Sequence, residues 1–170
     1  MSKKFFSTRM LTTLGILIAI EIVLSRFLSI NAWNLKIGFS FVPIVIAAIL
    51  YGPLAAGIVA ALGDFLGAVL FPIGAYFPGF TLTAFLTGCL FGLLLHKQQS
   101  IVNIVIAVLI NQFILGLLLN SYWISVLYGS PYVPLLATRV VQSVVLTAVQ
   151  IFGIILIART LPRYQKRERT

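Results

Sequence analysis

The chain has little charge, and almost none of it is negative. Among 170 residues only three are acidic, Glu21, Asp64 and Glu168, against twelve Lys and Arg. The acids are isolated from one another, so they form neither a paired catalytic site nor a proton relay. The single cysteine, Cys89, excludes a disulfide framework within one chain. With His96 as the single histidine, no His/Cys metal cluster is available. A G-x-x-x-x-G-K-[ST] loop is missing, so the chain is not expected to hydrolyse nucleotides. A nucleophile elbow is missing too, and no inverted repeat of the kind seen in many secondary transporters stands out. An enzyme reading therefore has no residues to rest on, and no cofactor is expected in this chain.

What is present is apolar. Hydrophobic residues make up 61% of the chain, and the mean hydropathy is +1.11. Several runs approach the roughly 20 residues that a helix needs to cross the hydrocarbon core. This predicts an all-α integral membrane protein, one domain over residues 1–170, with six transmembrane helices. The spans are expected at about 9–28, 39–51, 53–71, 81–95, 101–122 and 135–158. Spans two and three exceed one crossing together, and Gly52-Pro53 breaks them; whether they form a tilted or a broken pair is left open by pattern alone. The basic start, Met1 to Arg9, is followed by a long apolar run without an obvious cleavage site, which reads as a first span rather than a signal peptide.

Six spans place both termini on one side, and the cations say which. Lys3, Lys4, Arg9, Lys97, Arg159, Arg163, Lys166, Arg167 and Arg169 all map to one face, nine of the twelve. The positive-inside rule makes that face cytoplasmic, and a multi-pass position in a cell membrane follows. Because these cations flank spans, the net charge of +9 does not argue for nucleic acid. The remaining three, Arg26, Lys36 and Arg139, map to the outer half. Arg26 lies about 25 Å up span one, and Arg139 roughly 6 Å below the outer start of span six, at the helical rise. A charge at such depth faces a cavity or a partner, which predicts an outward site for an anion. The competing reading is snorkelling to the headgroups, open to Lys36 and Arg26.

The stretch FPIGAYFPGF, residues 71–80, concentrates three Phe and one Tyr between stiffening prolines and permissive glycines. It is either an interfacial aromatic belt or a ring-lined mouth for a flat ligand. Asn31 and Asn34 flank Trp33, and Asn120 and Trp123 share a helical face, as do Arg139 and Gln142. Asn111, Gln112 and Gln150 lie deeper and read as interhelical hydrogen bonds, and Glu21 and Asp64 as helix-pairing acids. Small residues recur at i, i+4 in Gly15/Ala19, Gly63/Gly67 and Gly88/Gly92, a pattern that lets helices approach closely in lipid.

The chain resembles the substrate-binding S-components of energy-coupling factor (ECF) vitamin transporters, and most closely their folate-specific members. The resemblance covers nearly the whole chain. It rests on the six-span layout and on KIGFSFVPIVIAAILYGPLAAGIVAALGDFLGAVLFPIGAYFPGFTLTAFLTGCLFGLL (residues 36–94). SRFLSI (25–30), NSYWISVLYGSP (120–131) and RVVQ (139–142) add to it. The resemblance implies a subunit that captures folate on the outer side. It would deliver the vitamin inward with a transmembrane coupling protein and two cytoplasmic ATPases that use ATP. Small residues on the first span meet the partner in that family; Gly15 and Ala19 stand there, with Thr12 a turn earlier. Folate has a flat pterin, a benzoyl ring and two carboxylates. Tyr76, Phe77 and Trp123 would stack on the rings, Asn34 and Asn120 would meet the pterin edge, and Arg26, Arg139 or Lys36 would hold the carboxylates. The competing readings are an S-component for riboflavin or thiamin, the latter disfavoured by a cationic site, and a membrane scaffold without a small ligand.

Overall fold

The computed structural model describes residues 7–31 and 36–167, without the side chains of 31, 36, 37 and 162–167. Helix α1 (Thr8–Arg26) begins where the Ser7 hydroxyl accepts from the Met10 amide at 3.2 Å, satisfying an orphan donor of the first turn. A two-residue antiparallel hairpin follows, β1 (Ile30–Asn31) with β2 (Lys36–Ile37), in which Ile30 faces Ile37. Then come α2 (Phe41–Tyr51), α3 (Pro53–Leu70) and α4 (Pro78–Leu95). Pro53 and Pro78 open their helices at first-turn positions, where no amide is needed. Helix α5 (Ile101–Tyr128) starts on a Ser100 cap, and α6 (Tyr132–Arg167) ends the described chain.

Among the described residues five helices are long and apolar enough to cross a membrane, and α2 is not. Its 11 residues span only about 16 Å at the helical rise, against a core of roughly 30 Å. Gly52, with φ of 89°, turns the chain directly from α2 into α3, so the two form a broken pair. The α2 helix packs only at the end of the bundle where α1 begins and α6 terminates. There Val45, Ala48 and Ile49 join Leu17, Val59, Phe91, Leu95, Ile104 and Ile154 in one dry core. Beyond the start of α2 the bundle is open, and Gly38 and Ser40, which follow the hairpin, line that space. Gly38 runs against Ser29, where an added Cβ would meet the serine side chain at 2.7 Å.

The stripes of small residues do two different jobs. On α4, a Cβ at Gly88 or Gly92 would collide with the α3 backbone at Ala56 or Pro53, so these two helices meet backbone to backbone. On α3, by contrast, a Cβ at Gly63 would overlap the Glu21 carboxylate, and one at Gly67 would stand 2.8 Å from Arg26 Nε. That pair is a berth for the two charged side chains of α1 rather than a helix-approach surface. The fifth span, expected to end at about 122, continues as helix to Tyr128. The turn into α6 is made at Gly129, at φ 64°, where glycine carries no Cβ penalty. Pro134 falls in the first turn of α6 and is tolerated there.

Replacing Gly88 by Val should lower the melting temperature of the detergent-solubilised protein, because α3 cannot yield its backbone. Overpacking of this kind typically destabilises by about 1–3 kcal/mol. An unchanged melting curve would remove the close α3–α4 contact.

Candidate substrate-binding site

A cavity of about 620 Å³ occupies the space that α2 leaves open. Phe41 and Ile44 at the start of α2 form part of its floor. So do Asn111 on α5 and Gln150 on α6, joined by a hydrogen bond of 3.2 Å from Asn111 Nδ2 to Gln150 Oε1. Thr87 on α4 donates to Asn111 Oδ1 at 2.9 Å. These deep amides therefore tie three helices together and line the cavity as well.

The α5 wall has an uncommon backbone. From Ile110 to Leu119 the helix is π-helical, and the Asn120 amide reaches back five residues to the Leu115 carbonyl. Four residues are slightly more than one turn of an α-helix and slightly less than one turn of a π-helix. The drifts have opposite sign. A row spaced by four, Gln112, Gly116, Asn120, Ile124 and Tyr128, consequently keeps facing the cavity along its whole depth.

Two arginines reach the cavity, and their circumstances differ. Arg26 lies 3.8 Å from Asp64 Oδ1 through Nη2, which also donates to the Asp64 carbonyl at 3.2 Å. Its Nε is buried without a hydrogen-bond partner. Arg139 is only 8% exposed, donates from Nη1 to Ser121 Oγ at 3.2 Å, and has no carboxylate partner among the described residues. Its Nε is likewise unsatisfied, as is Asn120 Oδ1. An unpaired guanidinium held inside an apolar bundle is expensive unless an anion can reach it.

At the mouth, the segment after α3 brings Tyr76 and Phe77 to the cavity edge. Tyr76 packs edge-on against Phe65 with centroids 5.8 Å apart. Phe77 leans on Trp123 at 5.5 Å. Trp123 donates from Nε1 to Thr83 Oγ1 at 3.0 Å and packs over Gly79, where a Cβ would lie 2.6 Å from its ring.

Of the residues expected at the site, the structure brings Arg26, Tyr76, Phe77, Asn120 and Arg139 to one cavity. Trp123 stands outside the lining and braces Phe77 from behind, because the Thr83 bond and the Gly79 contact hold its ring there. Asn34 lies outside the described residues, as does the side chain of Lys36. Thr12, Gly15 and Ala19 sit at the other end of α1, all exposed, and a Cβ at Gly15 would meet nothing within 4 Å. Sequence reasoning left Glu21 and Asp64 as pairing acids, yet both line the cavity. It passed over Tyr128, which the four-residue row on α5 would have signalled.

Comparison with known proteins settles the family. Residues 9–163 match the family described as ECF transporter, substrate-specific component. The chain belongs to that family. As a substrate-specific component it is a multi-pass membrane protein of a transport system, not an enzyme. It is 39% identical over 144 residues to the "Folate transporter FolT" of Clostridium novyi (strain NT), covering 82% of this chain and 84% of that protein. The "Folate transporter FolT" of Leuconostoc mesenteroides subsp. mesenteroides is 30% identical over 151 residues, 85% and 81% of the two chains. Among solved structures it matches a FolT bound with folic acid at TM-score 0.86 and 31% identity, over 90% of this chain and 94% of that one. It matches the S component of a bacterial ECF transporter at TM-score 0.70 and 26% identity, over 92% and 96%. The FolT structure superposes more closely, so the likeness extends beyond the shared fold of substrate-specific components.

The two cation sites should respond to mutation in opposite directions. Arg139→Met removes an uncompensated charge and should raise the melting temperature of the ligand-free protein, since apolar replacement of buried charge can stabilise by about 1–4 kcal/mol. Asp64→Asn strands Arg26 and should lower it. Shifts of the same sign for both would show that Arg139 is satisfied in a way the geometry does not contain.

Proposed function

We propose that this chain is the folate-binding substrate-specific component of an ECF-type, ATP-driven uptake transporter. It takes folate from the outer face of the cell membrane and delivers it inward. The observation that carries this reading is Arg139, buried and without a carboxylate partner among the described residues, at a cavity of about 620 Å³. Such a volume falls within the usual range for small-ligand sites. A ligand with carboxylates supplies the charge that Arg139 lacks, and Arg can hold a carboxylate through two hydrogen bonds. Arg26 offers a second, already partnered cation. Tyr76 and the braced Phe77 give the flat pterin and benzoyl rings a wall to stack on. Asn120, with its unpaired carbonyl oxygen, suits the donor-rich pterin edge. Asn34 and Lys36, from the hairpin segment, complete the proposed set. The relatives named FolT support folate over other vitamins.

The start of α1 and the end of α6 lie at the end opposite the cavity. With the basic clusters flanking that end, it is the cytoplasmic one in this reading. The partners are a transmembrane coupling protein and two cytoplasmic ATPases. The exposed edge of α1 at Thr12, Gly15 and Ala19 is the contact offered to the coupling protein, small enough to let a partner helix approach.

Isothermal titration of the detergent-purified chain should show saturable binding of folic acid and none of thiamin or riboflavin. Arg139→Gln should weaken folic acid binding by at least about thirtyfold, the lower range for losing one partner of a buried charged pair. Wild-type affinity in that variant would take Arg139 out of the site, and silence toward folic acid in folded protein would discard the vitamin.

Gly15→Leu should leave folic acid affinity and melting temperature as they are, because its side chain would enter open space. It should abolish co-purification with the coupling protein and uptake into cells. Retained assembly would place the contact elsewhere.

A further inference from the structure

A chain of polar contacts runs from the buried cation Arg26 to the aromatic mouth, and Asp64 stands in its middle. One carboxylate oxygen, Oδ1, faces Arg26 at 3.8 Å. The other, Oδ2, accepts from Thr81 Oγ1 at 2.8 Å. Thr81 Oγ1 in turn lies 3.3 Å from the Tyr76 hydroxyl. The proton order follows from the inventory of each group. A carboxylate beside Arg26 only accepts, so the one Thr81 proton goes to Asp64. Thr81 then has only lone pairs left for Tyr76, and the tyrosine proton must point to Thr81. The chain is therefore directional: Tyr76 donates to Thr81, Thr81 to Asp64, and Arg26 shares the same carboxylate. It links α1, α3, the start of α4 and the segment before it.

We infer that Asp64 and Thr81 are positioning residues that make the anion site at Arg26 and the ring wall at Tyr76 act as one unit. This inference rests on the reading above, in which the ligand carries both carboxylates and aromatic rings. The physical route is competition for charge. Arg26 Nε is buried and free to take a hydrogen bond acceptor. A ligand carboxylate at Arg26 draws the guanidinium away from Asp64. The carboxylate that loses part of its counter-charge accepts more strongly from Thr81, and a polarised Thr81 accepts more strongly from Tyr76. The anionic tail thereby tightens the ring that closes on the flat part of the ligand. By linkage the effect is reciprocal: a fixed Tyr76 raises affinity for the tail. A ligand with rings but no tail receives less of this cooperation. Nothing else holds the Tyr76 hydroxyl among the described contacts; its ring rests edge-on against Phe65, which orients the plane and leaves the hydroxyl to Thr81.

The test compares two ligands on four proteins. Folic acid and pteroic acid share the pterin and benzoyl groups, and pteroic acid lacks the glutamate. Dissociation constants are measured by titration calorimetry for wild type, Tyr76→Phe, Thr81→Val and the double variant. Tyr76→Phe keeps the ring and its Phe65 contact while deleting the donor. It should weaken folic acid about tenfold and pteroic acid less than about threefold, the range of one neutral hydrogen bond. In the Thr81→Val background Tyr76→Phe should add nothing for either ligand. Thr81→Ser keeps the hydroxyl and should restore the difference between ligands. Should Thr81→Val fail to fold, Thr81→Ala removes the same hydroxyl without added bulk. Equal effects of Tyr76→Phe on the two ligands, or effects that simply add to those of Thr81→Val, would overturn the coupling and leave a structural tether. Failure of wild type to bind either ligand would overturn the folate reading and this inference with it.

Discussion

The short second helix is the constraint from which the rest of the structure follows. A chain in lipid must satisfy its backbone within helices, and full-length helices packed side by side leave no room for a ligand. Here α2 ends at Gly52 after 11 residues, so one end of the bundle is a dry core and the other is open. Apolar packing of Val45, Ala48, Phe91 and Ile104 seals the end at which α1 begins and α6 terminates. The cavity is what remains above it, and each neighbouring helix turns its polar side chains toward that space.

Charge inside this bundle is tolerated by local provision rather than by abundance of acids. The α3 glycines give up their side chains so that Glu21 and Arg26 can lie flat between helices. Asp64 then neutralises Arg26, and Arg139 is left with a serine hydroxyl alone. A pocket arranged this way carries unspent hydrogen-bonding capacity at Arg26 Nε, Arg139 Nε and Asn120 Oδ1. The desolvation of those groups has already been met by the fold, so an anionic ligand meets a preorganised site and not one that must first be assembled. The π-helical stretch of α5 serves the same end, since it keeps one polar row aimed at the ligand for the whole depth of the cavity.

The aromatic mouth shows how a site can have two layers. Phe77 faces the cavity, and Trp123 stands behind it, held by Thr83 and by the absence of a side chain at Gly79. From spacing, Asn120 and Trp123 share a helical face, and both read as ligand contacts. A shared face says only that two side chains point the same way. Which of them reaches the ligand depends on the neighbour packed in front, and here that neighbour comes from a segment more than forty residues away.

Much was legible in the sequence by itself. The apolar runs and the positions of twelve cations determined a multi-pass helical membrane protein, because the bilayer admits few alternatives. The scarcity of acids pointed to Arg26 and Arg139 as residues of a site, because lone charges at such depth need a reason to be there. Only the tertiary structure decided that α2 and α3 form a broken pair with a cavity beyond α2, that Gly63 and Gly67 make room for charged side chains while Gly88 and Gly92 bring backbones together, and that Asp64 bridges Arg26 to Thr81. Each of these turns on which helices are neighbours. Local periodicity reports how a side chain leaves its own helix, whereas the packing of distant segments sets what it meets.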